Sequence, residues 1–378
     1  MKIGIFEIEH YEGAYPVIKL FDMPQNELYI FTNAPCYAQF QILLKDTFNN
    51  YRWINKSDKT SKYTFLLTLY RECKKNKFDI LYLNTISNNH LVYALVLAFF
   101  PKMKKVLTVH DINSLFLTKP TISFRGLVKY YGKKLLLRVV DEFNVVSDTM
   151  VAYLSEKDKW KRKIYHIPGA VFEGEKHLTE IKDVIKLVVV GSIDKRRRDY
   201  SQVFELLALA ESLKLSLQIT LLGGYSDDYG NEIIDRAKTL INTHTKLVFF
   251  ETNVIPQNEF DEIINGEHFI YIPSVIHTKI FDRIPEIYGI TKSSGNIFDA
   301  IKYSKPIIIP NQLKVPENIE SSCFRYSELM DIIMLLSNIM HQKEIYSSWE
   351  QKATDNAKKY TIERIRDENP SLFKPSVL

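Results

Sequence analysis

Residues 185–198 read IKLVVVGSIDKRRR, and this stretch decides the fold. The first six residues are nearly all apolar and β-branched, the composition of a strand buried on both faces. A glycine follows, where the backbone can turn sharply, and then four adjacent cations. Just upstream, residues 171–184 (VFEGEKHLTEIKDV) are largely polar and charged and read as a linker. The strand after it therefore opens a second αβ unit. Residues 200–213 continue as a helix with Val203, Leu206, Leu207 and Ala210 on one side. Strands are expected at 217–222, 247–250, 269–272 and 306–309, and helices at 230–240, 257–265 and 295–303, the last after a long loop. Upstream, the same alternation predicts strands at 2–8, 28–32, 79–84, 105–110, 142–146 and 163–167. Helices are expected at 62–77, 89–100, 121–140 and 149–155. Strand and helix signals at this spacing imply parallel sheets covered on both faces. Two such sheets joined by a linker form a cleft between strand C-termini, the usual ligand position.

Composition narrows the classes. The chain has 378 residues, 46% apolar and 25% charged, which fits globular domains and excludes a disordered chain. Cys36, Cys73 and Cys323 are the only cysteines, and their spacing matches neither a zinc site nor a disulfide scaffold. No signal peptide is legible, and the longest apolar run, 91–100, is half of the roughly 20 residues a membrane span needs. A cytoplasmic location is the expectation. The net charge of +5 is uneven: residues 1–180 hold 26 Lys/Arg against 18 Asp/Glu, and the rest 24 against 27. Residues 102–138 hold nine basic residues and one acid, Asp111. Such a field attracts phosphorylated ligands, nucleic acid or an anionic membrane surface, and equally describes a solvated face. Glycine-aromatic RNA signatures and a reading helix are missing, so no nucleic acid is expected.

The residues able to carry chemistry lie at strand ends. Gly191 and Ser192 begin a turn whose cations suit a diphosphate, which arginine grips with two parallel bonds. One or two of them, Arg196 or Arg197, are expected to face a ligand. A second constellation runs Tyr288-Gly289-Ile290-Thr291-Lys292-Ser293-Ser294-Gly295 into the helix carrying Asp299. Lys292, Ser293, Ser294 and Gly295 precede helix amides that can receive phosphate oxygens, and a carboxylate at Asp299 can accept both hydroxyls of a ribose. The spacing is not that of a P-loop. In the first unit, Glu7, Glu9, His10, Glu12 and Gly13 crowd the loop after the first strand, and His110-Asp111 end the fourth. These can bind a polar substrate or move a proton, and His110 also fits a hydrogen-bonded core histidine. No metal-ligand spacing is present, and no metal is expected.

These motifs, in this order, resemble the GT-B glycosyltransferases of the broad group 4 / group 1 type. Asp299-Ala300-Ile301-Lys302-Tyr303-Ser304-Lys305-Pro306-Ile307-Ile308 resembles the family's EAMACGKPVI, with Asp299 on the second glutamate of E-x7-E. Glu286-Ile287-Tyr288-Gly289 resembles E-x-F-G, but Gly289 and Asp299 are ten residues apart where the family has five. Phe143-Asn144-Val145-Val146-Ser147-Asp148, His166-Ile167-Pro168-Gly169, His110-Asp111 and the Gly191 loop resemble further family landmarks. The resemblance spans most of residues 1–310.

It implies two Rossmann-like domains facing across a cleft: an acceptor-binding domain over 1–177, a donor-binding domain over 178–350, and a terminal helix within 351–378 crossing back to the first. It implies transfer of a sugar from a UDP- or GDP-sugar to a saccharide or lipid-linked acceptor, with no cofactor required. Arg196 or Arg197, together with Lys292, would hold the diphosphate, aided by Ser293, Ser294 and Gly295, and Asp299 the ribose. His10, Glu12, Gly13, His110 and Asp111 would face sugar and acceptor, and the base is open among Glu12, Asp111 and His10. Retention and inversion also stay open. A lipid-linked acceptor and the basic aromatic stretch 119–138 imply a peripheral contact with anionic membrane. The rival readings are an epimerase of similar architecture and a non-catalytic nucleotide-sugar-binding or partner protein.

Overall fold

The computed structural model describes residues 1–57, 61–174, 179–252, 254–280 and 284–373. The first sheet is formed by β1 (Lys2–Phe6), β2 (Glu27–Asn33), β3 (Arg52–Lys56), β4 (Ile80–Leu83), β5 (Lys104–Thr108), β6 (Glu142–Val145) and β7 (Ile164–His166). Its order is β3-β2-β1-β4-β5-β6-β7, parallel throughout. The crossovers contain α1 (Tyr11–Phe21), α2 (Ala34–Leu44), α3 (Lys62–Asn76), α4 (His90–Ala98), α5 (Ile112–Phe116), α6 (Phe124–Val139) and α7 (Thr149–Lys157). Strand burial on both faces follows from runs such as ILYL in β4, in which every residue is buried.

The second sheet repeats the plan with β8 (Ile185–Val190), β9 (Leu217–Leu222), β10 (Thr245–Val248) and β11 (Phe269–Tyr271). An antiparallel hairpin, β12 (His277–Ile280) and β13 (Ile284–Ile287), interrupts it before β14 (Ile307–Pro310) and β15 (Cys323–Tyr326). The order is β10-β9-β8-β11-β14-β15, again parallel. Its helices are α8 (Ser201–Ser212), α9 (Asp228–Lys238), α10 (Gln257–Gly266), α11 (Gly295–Lys302), α12 (Leu329–His341) and α13 (Glu344–Ala357). Each sheet reverses direction once, between β1 and β4 and between β8 and β11. Those switch points are where open α/β sheets place ligands.

The expected elements recur, and several more appear. The loop expected after the first strand ends at His10, because 11–21 is α1. Gly13 and Pro16 read as breakers, yet Ala14, Val17, Ile18, Leu20 and Phe21 are buried, and that packing outweighs the local preference. The long loop before α11 contains the β12–β13 hairpin. The chain returns to the first sheet within 351–378. The helix at 352–357 is the end of α13, whose Tyr346 and Trp349 join the second core. The crossing falls to α14 (Ile362–Glu368) and α15 (Pro370–Phe373). Ile365, Leu372 and Phe373 join the core of Ile3, Ile5 and Val106. Arg366 donates to the carbonyls of Lys19, Leu20 and Asp22, closing the C-terminal end of α1. The expected boundary at 177/178 and residues 175–178 of the linker lie outside the described residues, as do 374–378.

Candidate functional site

A cavity of about 310 Å³ lies between the strand ends of the two halves, at the small end of the range for ligand pockets, roughly 300–1,000 Å³. His10, His110 and Asp111 line it from the first half, and Arg196, Arg197, Tyr288 and Lys292 from the second. Residues separated by up to 282 positions in sequence thus share one space.

On the first side, Glu7 shapes the loop. It is fully buried, directly after β1. Its carboxylate accepts from the amides of Glu9 and His10, from Asn84 Nδ2 at 2.6 Å and from Thr85 Oγ1 at 2.7 Å. A buried carboxylate needs such donors, and here they join the ends of β1 and β4 at the switch point. His10 is thereby held beside His110, with ring centroids 6.0 Å apart. His110 Nε2 lies 2.8 Å from Asn84 O. A carbonyl only accepts, so Nε2 carries the proton and Nδ1 is the ring's acceptor. Burial, then His10, lowers the His110 pKa, keeping that ring neutral near pH 7.

On the second side, Gly191 adopts φ +92°, and a Cβ there would lie 2.7 Å from an Arg198 nitrogen. Arg198, not Arg196 or Arg197, is the buried cation of the run, 6% exposed. Its Nη1 donates to Ser192 O at 2.9 Å and its Nη2 to Asn296 Oδ1 at 2.9 Å, while Asn296 Nδ2 reaches Val190 O. This links the end of β8 to the first turn of α11. Arg196 and Arg197 lie on the surface of the loop and pair with Asp194, at 2.9 and 3.5 Å. Ser192 and Gly295 are exposed, and a Cβ on Gly295 would meet nothing within 4 Å. Ser294 is the N-cap of α11, but its side chain makes no capping bond. Of the first amides of that helix, Ile297 N donates to Ser294 O at 3.3 Å.

The inserted residues that break the family spacing have a structural role. Residues 287–292 form a tight turn in which Gly289 has φ +81° and its amide donates to Lys292 O at 2.7 Å. Thr291 is buried, and its hydroxyl accepts from Ile287 N. The turn reaches across the cleft to the first half. Ile112 N donates to Thr291 O at 2.9 Å, and Lys292 Nζ pairs with Asp111. Glu286, fully buried on β13, accepts from the amides of Ser114 at 2.7 Å and Asn113 at 3.4 Å. Burial pushes its pKa up to about 7; Thr291 and the Ser114 amide pull the other way, and Asp111 adds to the rise. Glu286 was quoted for its motif but given no role by sequence reasoning; a signal for it was its place in the shifted E-x-F-G.

Glu12, Gly13 and Asp299 fall outside the cavity. Glu12 and Gly13 sit in the first turn of α1, and Glu12 is close enough to Asp299 on α11 to disfavour its charge. Burial first, then Glu12, raises the Asp299 pKa to about 7 against Lys302 and Arg198. Among the described residues no group of three or more His, Cys, Asp or Glu is placed to hold a metal ion.

The architecture is GT-B: two Rossmann-like parallel-sheet domains whose strand ends meet at a cleft. Comparison with solved structures gives the same fold at low identity. A sucrose-phosphate synthase from Thermosynechococcus elongatus superposes with a TM-score of 0.63 at 12% identity, covering 99% of this chain and 98% of that one. The UDP-GlcNAc 2-epimerase from Neisseria meningitidis, bound to UDP-GlcNAc, gives 0.55 at 14%, covering 99% and 100%. A lipopolysaccharide outer core galactosyltransferase gives 0.55 at 11%, covering 99% of each chain. No family model matches the sequence, and no curated protein does.

Proposed function

We propose that this chain is a glycosyltransferase that moves a sugar from a nucleotide diphosphate sugar to a saccharide or lipid-linked acceptor, in polysaccharide or glycoconjugate synthesis. One observation carries the reading: His10, His110 and Asp111 from one switch point share a cavity with Arg196, Arg197, Tyr288 and Lys292 from the other. A nucleotide diphosphate leaving the anomeric carbon gathers negative charge on its phosphates. Lys292, one or both of Arg196 and Arg197, and the first amides of α11 stabilise that charge without a metal ion or other cofactor. The ion pairs of these cations with Asp111 and Asp194 are the contacts a diphosphate replaces. Asp299 takes the ribose, and His10 and the neutral His110 face the sugar and acceptor. The structural likeness to a galactosyltransferase and a sucrose-phosphate synthase supports the class.

The test is a thermal-shift panel of UDP, GDP, ADP, CMP and their common sugar conjugates, with and without EDTA. One nucleotide diphosphate should raise Tm selectively and independently of EDTA, since ligand at 100 Kd adds about 2.7 kcal/mol of stability. No rise with any of them overturns the donor site. The likeness to a UDP-GlcNAc 2-epimerase favours a second reading, interconversion of the free nucleotide sugar. Product formed from donor alone, without an acceptor, would select it.

A peripheral contact with the cytoplasmic face of an anionic membrane accompanies the first reading. Among the described residues no helix is long and apolar enough to cross a membrane. The segment leading into α6 exposes Leu117, Ile122 and Phe124 beside Lys119 and Arg125, apolar side chains among cations. Sedimentation with anionic liposomes at physiological salt should remove protein from the supernatant; equal recovery with and without lipid rejects the contact.

A further inference from the structure

The first turn of α5 is capped by the opposite half of the molecule. Ile112, Asn113 and Ser114 open that helix, and amides of a first turn have no acceptor within their own helix. The N-cap residue, Asp111, makes no capping bond with its side chain. The acceptors come from across the cleft. Ile112 N donates to Thr291 O at 2.9 Å, Asn113 N to Glu286 Oε2 at 3.4 Å and Ser114 N to Glu286 Oε1 at 2.7 Å. Asn113 Nδ2 also donates to Pro285 O at 2.9 Å. The Asp111 carboxylate pairs with Lys292, the residue after Thr291.

Both ends of this contact are tied to their own half. On α6, Lys133 is 3% exposed and donates to Ser114 O, to Ser114 Oγ at 3.2 Å and to Thr118 Oγ1 at 2.9 Å. On α7, the Tyr153 hydroxyl donates to Asn113 Oδ1 at 2.7 Å. A pull on the first turn of α5 is therefore a pull on the helix layer of the first sheet. On the other side, Gly289 N donates to Lys292 O at 2.7 Å, so Thr291 and Lys292 belong to one tight turn. A shift of Lys292 toward a ligand acts on the Thr291–Ile112 bond beside it.

We propose that β13 and the turn 287–292 form an interdomain latch: Glu286 and Thr291 hold the cleft closed on α5, Asp111 occupies Lys292, and a nucleotide diphosphate releases the latch by taking Lys292. The inference rests on the donor reading of Lys292. With the latch engaged, a cavity of about 310 Å³ has to receive a base, two sugars and two phosphates, so entry of a nucleotide sugar widens the cleft. A diphosphate carries more negative charge than one carboxylate and outcompetes Asp111 for the ammonium. Until then the latch lowers the fraction of protein able to bind, and apparent affinity is weakened by that fraction.

Amide hydrogen exchange on the full chain, at residue resolution, reads the latch directly, because the Ile112 and Ser114 amides have no helical partner to protect them. Without ligand, the Ser114 amide should exchange tenfold or more slowly in wild type than in Glu286→Ala. The nucleotide selected by the thermal panel should speed exchange of both amides tenfold or more, where a ligand that merely tightened the cleft would slow it. Asp111→Asn and Glu286→Ala should each bind that nucleotide fivefold or more tightly than wild type. Asp111→Asn, on a partly exposed side chain, should also speed exchange at Ile112 threefold or more, and it keeps the test meaningful if Glu286→Ala does not fold. Equal exchange in wild type and both variants overturns the latch. Exchange that the nucleotide leaves unchanged or slows overturns its release, as does an Asp111→Asn affinity no higher than that of wild type. No nucleotide bound by wild type or by Asp111→Asn refutes the donor reading, and the ligand-free exchange still decides the latch.

Discussion

Glu7, the first residue past β1, and Arg198, eight residues past β8, are buried charges in the loops after the first strand of each sheet, and they carry opposite charge. Glu7 gathers donors: two loop amides, an amide side chain and a hydroxyl. Arg198 gathers acceptors: the Ser192 carbonyl and the Asn296 side-chain oxygen. In the first half the strand-end N–H groups are therefore occupied by a carboxylate. In the second half the buried charge engages oxygens instead. The sign of the buried charge distinguishes the two halves of a repeated fold, and on the proposed reading the phosphates of a donor lie toward the second half.

The largest expected effect comes from removing that buried cation. Arg198→Met leaves the Asn296 side-chain oxygen without its donor and Ser192 O with only the Tyr200 hydroxyl at 3.4 Å, and a buried orphaned acceptor is worth about 1–3 kcal/mol. Urea unfolding should show a loss of about 2–4 kcal/mol, and nucleotide affinity should fall at least about 100-fold. Glu7→Gln should lose comparable stability while nucleotide affinity stays within about twofold. Equal damage to nucleotide binding by both variants would erase the contrast between the halves.

Next comes Lys292→Ala. It should lower donor kcat/KM about 100-fold with an unchanged circular dichroism spectrum, the size of effect seen when a charge-stabilising donor is lost. An unchanged kcat/KM rejects the phosphate role of this lysine.

Glu286 offers a test with a defined pH sign. Its folded pKa, about 7, lies above the ordinary 4.5. Its contribution is therefore present in full below about pH 4.5 and is lost as pH rises through about 7. Wild-type stability measured relative to Glu286→Gln should fall by about 2 kcal/mol between pH 5 and pH 8. Asp299 and Glu267 titrate in the same window, but they are common to both proteins and cancel. A flat difference would mean that this carboxyl is not buried against α5.

The smallest effect belongs to the exposed arginines. Arg196→Gln should reduce donor kcat/KM by less than about fivefold, because its side chain is 66% exposed and already engaged by Asp194. A loss exceeding that of Lys292→Ala would move the diphosphate toward the loop surface and sharpen the site accordingly.

Much of the architecture was legible because strong apolar runs leave little choice. IKLVVV and DILYLN read as buried strands, and 62–77 reads as a helix with Phe65, Leu66, Leu69 and Cys73 inward; all take those forms. The first helix escaped notice because Gly13 and Pro16 oppose it locally and only packing on β1 and β2 restores it. The hairpin at 277–287 escaped because its pairing is stabilised by contacts across the cleft, which no local pattern encodes. The site was legible as a set of strand ends and not as roles. Arg196, Arg197 and Arg198 are adjacent and chemically alike, and burial alone separates them. Lys133 looked like one more cation on a basic helix until the loop at Ser114 and Thr118 closed over it.

The sequence by itself determined that there are two αβ units and which strand ends carry polar chemistry. Those follow from hydrophobic period and from glycine and charge placement, both local properties of the chain. Only the tertiary structure decided that Arg198 is the internal cation, that Glu286 and Lys292 grip the opposite half, and that the inserted turn bridges the cleft. Each of those depends on which residues distant in sequence share a desolvated space, and the strength of a charge depends on that space more than on the residue that bears it.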